Sequence, residues 1–170
     1  MHSHAIIHRL RCNADVFDAL CRGVGHDQAR WKPSDDEWSF VEVLNHLADE
    51  EVEDFRARVD LTLHRPGEPW TPIDPARWVK DRQYAKRDIS ESLERFLSRR
   101  NRSARWLEAL EAPDWSRTGD HPVRGPMSAG ELLTSWLAHD YHHIRQLNRL
   151  HRQYLHECLS AHPSDYAGEW

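Results

Sequence analysis

The stretch Ser128-Ala129-Gly130-Glu131-Leu132-Leu133-Thr134-Ser135-Trp136-Leu137-Ala138-His139-Asp140-Tyr141-His142-His143-Ile144-Arg145-Gln146-Leu147 decides how this chain folds. It opens on a capping box, in which a serine hydroxyl and a glutamate carboxylate satisfy orphan N–H groups at a helix start. Leu133, Trp136, Leu137, Ile144, Leu147 and Leu155 then recur at helical spacing, which predicts a helix running to Leu155. Three other segments read the same way. Ala5 to Val24 carries Ile6, Leu10, Phe17, Leu20 and Val24. Ser39-Phe40-Val41-Glu42 is a second capping box, followed by Leu44, Ala48, Val52, Phe55, Val59 and Leu63 as far as Pro66-Gly67. Asp88-Ile89-Ser90-Glu91 caps a helix with Ile89, Leu93, Phe96, Leu97, Ala104, Leu107 and Leu110, which stops at Pro113. No strand pattern competes.

Helices of about 20 residues are ~30 Å long. Amphipathic rods of that length bury their stripes against one another, so the expected fold class is all-α, a four-helix bundle. The 170 residues suit one domain spanning 1–170. The link from His64 to Arg87 is long and holds Pro66, Pro69, Pro72 and Pro75. It is read as a structureless crossover carrying Trp70, Trp78 and Tyr84, and it frees the second and third helices from being antiparallel neighbours.

Composition removes several functions. No apolar run reaches the ~18 residues of a membrane span. The start, Met1-His2-Ser3-His4, leads to Ile6 and Ile7 and then to Arg9 and Arg11, so no signal peptide is visible and a cytoplasmic protein is expected. Cys12, Cys21 and Cys158 form no C-x-x-C pair, which argues against a zinc ribbon or a disulfide framework. A net charge of −5 lacks the basic footprint of a nucleic-acid binder. The unusual entries are 13 His and 8 Trp.

Chemistry concentrates at His139-Asp140-Tyr141-His142-His143. His139 and His143 are four apart and project from one helix face, on the flank of the buried stripe, while His142 points to the side opposite the stripe. With 13 histidines in 170 positions, chance alone gives about one such pair, and His4 with His8 is read as a surface one. Two inward histidines suit a metal or a packed, hydrogen-bonded core equally. A catalytic ion needs about three protein ligands and an open position. The third is open among His46, His64 and His151. By helical angle His46 sits with Glu42, Glu50 and Glu53 on a charged flank, which by itself favours a solvated ring.

Trp38-Ser39-x-x-Glu42-x-x-x-His46-Leu47, followed by His139-x-x-His142-His143-x-x-Gln146-Leu147 and preceded by Trp31-Lys32-Pro33, resembles the DinB/YfiT-like superfamily of bacterial metalloproteins. The resemblance spans nearly the whole chain. It implies a down-up-up-down bundle with a long crossover between helices two and three, and one divalent ion held by three histidines. Matched position by position, those ligands are His46, His139 and His143, with His142 outside the set. Ile144-Arg145 departs from an Arg-Gly pair found in many relatives. Zinc or nickel is the expected metal, with iron as a further choice.

Around that centre Gln146, Asp140 and Glu50 are candidate supporting residues. Gln146 either orients a ligand or is a satisfied core residue, and Asp140 accepts from an imidazole or pairs with an arginine. Glu50 is a general base or, more simply, an exposed charge partner. No protein nucleophile is evident, so no catalytic residue is assigned. The resemblance implies a metal-dependent S-transferase, in which a bacillithiol- or mycothiol-like thiol attacks an electrophile in detoxification. A metal-dependent amide or ester hydrolase and a non-catalytic metal-binding stress protein are the alternatives. The expected partners are a small-molecule thiol and its electrophile. A homodimer is also expected, from the resemblance and from tryptophan-rich surface that needs covering.

Overall fold

The structure, a computed structural model, describes residues 2–168. Four long rods make the bundle. Helix α1 spans Ser3–Cys21, and a short α2, His26–Arg30, sits in the first connection. The second rod is composite: α3 (Phe40–Glu50), a π-helical stretch (Glu51–Arg56) and α4 (Ala57–His64) follow without a break. Helix α5 (Pro75–Asp81) lies in the crossover, α6 is Ile89–Glu108, and α7 is Ala129–Tyr154. The starts of α3 and α7 are the two capping boxes, and Asp88 Oδ1 accepts from the Ser90 and Glu91 amides at the start of α6.

Contacts fix the directions. Asn45 meets Ser92 and Glu51 meets Arg100, so α3 and α6 run parallel. Asn13 meets Asp140 and Leu20 meets His151, so α1 and α7 are parallel too. His46 meets His139 and Glu51 meets Trp136, which makes the second rod antiparallel to α7. The arrangement is down-up-up-down, and the crossover is what allows α3 and α6 to lie side by side in one direction. That crossover is not structureless: α5 and a 3-10 turn at Tyr84–Lys86 pack on the outer side of α3. The Tyr84 hydroxyl donates to Asp49 Oδ2 at 2.6 Å, and Arg82, Arg95 and Arg99 converge on the same buried carboxylate.

Two short strands, a minor addition, accompany the all-α bundle. β1 (Thr118–His121) and β2 (Gly125–Ser128) pair antiparallel just before α7. Their sequences, TGDH and GPMS, carry no alternating apolar signal. The hairpin is positioned by tertiary contact instead. A Cβ on Gly119 would lie 2.8 Å from Thr62 Oγ1 and Trp70 Nε1, so only glycine lets the strand approach there.

The core has two halves. Phe17, Phe40, Leu44, Phe96 and Leu147 fill one, and Leu10, Val59, Leu107, Leu133 and Trp136 the other. Arg100, 2% exposed, joins all four rods between them. Its guanidinium pairs with Glu51 from the second rod and with Asp140 from α7, and donates to the Leu10 carbonyl of α1. Asn13 and Trp136 donate the remaining bonds to Asp140 and Glu51 at 2.9 and 3.1 Å, so no charge in the network is left bare. Of the seven described tryptophans, Trp70 and Trp136 are buried and the other five are partly buried. Among the described residues no helix is long and apolar enough to cross a membrane.

Candidate metal centre

The rotation of α7 is set by Asp140. Arg100 Nη1 and Nη2 donate to its two carboxylate oxygens at 2.6 and 2.8 Å, a fork that admits little rotation. With Asp140 turned toward Arg100, the neighbouring positions His139 and His143 face the second rod. Asp140 therefore makes the arginine pair rather than an imidazole contact, and it acts on the centre only by aiming the helix.

All eleven residues of α3 are buried, His46 and Glu50 among them. The charged flank is covered from outside the helix, which an angular reading of one segment does not show. At Glu51–Arg56 the backbone widens to i→i+5 bonds, which shifts the phase of the side chains that follow. Glu50, on the His46 face of α3, meets α7, while Glu51, the next residue, turns to Arg100. The same shift leaves Val52, expected in the apolar stripe, 38% exposed.

His46, His139 and His143 converge. His139 Nε2 lies 3.3 Å from His46 Nε2 and 3.0 Å from His143 Nε2, and one nitrogen from each ring falls within 4.8 Å of the others. Nitrogens bonded at about 2.0–2.1 Å to a common ion lie about 3.0–3.4 Å apart, so the donor set fits a divalent metal. Gln146 Oε1 accepts from His143 Nδ1 at 2.7 Å, which puts the ring proton there and leaves the Nε2 lone pair facing the cluster. His46 Nδ1 is buried without a hydrogen-bond partner among the described residues. Trp38 lies against the His46 ring at 4.6 Å and Phe55 against His139 at 5.1 Å, so aromatic faces hold two of the imidazoles.

Glu50 is the residue whose simplest reading fails. It is buried, with Oε2 3.0 Å from His139 Nε2 and 3.5 Å from His46 Nε2. Its i,i+4 spacing from His46 carried the signal, since the two must share a helix face. Burial pushes the Glu50 carboxyl up, but the hydrogen bond from the His139 ring outweighs it and holds the group below the usual range. Burial lowers the His46 pKa to about 4 and the His143 pKa to about 2, so both rings stay neutral, the form a metal requires.

The competing histidines are elsewhere. His64 is exposed and pairs with Asp60, while His151 Nε2 donates to the Leu20 carbonyl at 2.6 Å. His142 is exposed and outside the cluster. The centre opens to one side through a cleft of about 420 Å³ bounded by Asp36, Glu37, Trp38, His142 and Gln146. No cysteine lines it. In the sequence Trp38 belongs to the family motif and Phe55 to the apolar stripe, and neither position shows there as a wall of the centre.

The model of the DinB superfamily matches residues 9–147. The chain belongs to the DinB superfamily. Among solved structures it is similar to YfiT from Bacillus subtilis, with 22% identity over 89% of this chain and 86% of that one, and a TM-score of 0.79. YfiT is described as a probable metal-dependent hydrolase with an unusual four-helix bundle topology. At that identity the likeness shows the fold. No curated protein matches the sequence. A DinB bundle with a three-histidine cluster fit to hold a metal ion is what the two halves of the chain build together.

Proposed function

We propose that this DinB protein is a metal-dependent S-transferase that joins a low-molecular-weight thiol to an electrophile. The observation that carries the reading is a three-imidazole cluster opening on a cleft whose lining holds no serine, threonine or cysteine. An attacking group that arrives as a small molecule suits such a lining. His46, His139 and His143 would hold a divalent ion, which would supply Lewis acidity and favour the deprotonated form of a thiol. Gln146 fixes the tautomer of His143. Glu50 stands where it can accept the proton that the incoming nucleophile releases. Trp38 keeps bulk water from one side of the His46 ring.

A second reading, hydrolysis of an amide or ester, draws on the same Glu50. A buried carboxylate beside the centre suits a base that activates water, and YfiT carries the description of a hydrolase. The test loads the protein with zinc or nickel. It then measures conjugation of bacillithiol, mycothiol and glutathione to a bimane electrophile beside cleavage of ester and amide panels. Conjugation that needs both thiol and metal, and that is lost in His143→Ala, is the expected result. Metal-dependent cleavage without any thiol, falling about 10²–10⁴-fold in Glu50→Gln, overturns it in favour of hydrolysis. We also propose a homodimer, on the family resemblance and the partly exposed tryptophans, and sedimentation at micromolar concentration tests it.

A further inference from the structure

A second cleft, of about 520 Å³, adjoins the first. Its lining is His142, Arg145, Gln146, Arg149 and Arg152, of which His142 and Gln146 also border the histidine centre. Positions 142, 145, 149 and 152 follow one face of α7, so the cleft is a stripe of cationic and imidazole side chains leading away from the centre. This stripe stands on a chain whose net charge is −5.

Ordinary explanations cover only part of it. Arg149 pairs with Glu37, and basic residues in the last turn of a helix offset the helix dipole. Arg145 is more than two turns from the end of α7, beyond that effect, and makes no ion pair among the described residues. Like charges on one face repel unless an anion sits between them. Planar guanidinium forks match carboxylates in two-point contact.

We propose that the Arg145–Arg149 cleft binds the carboxylate end of the thiol cosubstrate while its sulfur reaches the histidine centre. This rests on the S-transferase reading above. Arg149 is six residues beyond His143 and Arg152 nine, about 9 and 14 Å along the helix axis. The cosubstrate therefore carries its carboxylates about 10 Å from its sulfur, which fits a peptide- or sugar-sized thiol. Free cysteine is too short to reach both places.

The test uses cobalt-loaded protein and reads the thiolate-to-cobalt absorption band, comparing glutathione with its diethyl ester, an equal thiol with masked carboxylates. Glutathione is expected to bind about tenfold more tightly or better. Arg145→Gln or Arg149→Gln should erase that preference, leaving cobalt content and affinity for the ester unchanged. Equal affinities in the parent protein, or a preference that survives both substitutions, overturn the proposal. If neither thiol produces the band, the S-transferase reading falls, and the cleft is judged separately by calorimetry of the zinc-loaded protein with malate and with inorganic phosphate. Malate binding that disappears in Arg145→Gln sustains a carboxylate site. Absence of malate binding, or tighter binding of phosphate, overturns it.

Discussion

Gln146 Oε1 accepts a hydrogen bond from His143 Nδ1 at 2.7 Å, and that contact decides which nitrogen of His143 is free to bind a metal. Removing it lets the ring flip or change tautomer. Gln146→Ala is expected to weaken metal binding about 10–100-fold without unfolding the protein. Competition with a chromogenic chelator measures this. Unchanged affinity would mean that the parallel Trp38 ring, 6.4 Å from the His143 ring centroid to centroid, orients His143 by itself.

Two adjacent histidines should behave oppositely. His143→Ala should abolish stoichiometric metal, because it removes a ligand from the cluster. His142→Ala should leave metal content near the parent level, since that side chain points about 100° away on the helix and is exposed. Elemental analysis of the purified variants decides. Equal loss in both would displace the ligand assignment.

Acid should destabilise the metal-free protein well above the range where carboxylates titrate. In the unfolded chain His46 and His143 take protons near ~6.5. In the folded state burial lowers them to about 4 and about 2. Between those values the unfolded state binds more protons, so stability falls as pH falls from ~6.5 toward ~4. Asp54, raised to about 6 chiefly by burial, has the opposite sign and gains stability as pH falls through its folded value. Urea midpoints of the chelated protein at several pH values should decline through that window, and more steeply in Asp54→Asn. A flat profile would refute the buried, neutral state of the two rings.

Arg100 is expected to be among the costliest positions in the chain. Arg100→Met leaves Glu51 and Asp140 buried without their cation, a loss of about 3–5 kcal/mol. Chemical denaturation measures it. Because Asp140 also aims α7, any folded fraction of Arg100→Met should bind metal more weakly than the parent. A folded variant with full metal affinity would separate the network from the centre.

The sequence by itself determined the rods and one half of the centre. Capping boxes at Ser39 and Ser128, the cap at Asp88 and the apolar periods are local signals, written within a turn or two of the residues they govern. The His139/His143 pair is equally local, because a spacing of four puts two side chains on one face whatever surrounds the helix. The family motif supplied His46, but its burial was not legible: helical angle placed it on a charged flank, and only the packing of α7 and Trp38 against α3 covers that flank. The same holds for Glu50, which shares that covered flank with His46, and for Asp140, whose partner Arg100 is 40 positions away in sequence. The hairpin at 118–128 also belongs to the tertiary structure, since its residues have no strand period and its place is set by Gly119 against Trp70. A helix's own residues fix where it starts and which faces are apolar, whereas the side chains that cover a polar face, neutralise a buried charge or seat a short strand come from distant parts of the chain.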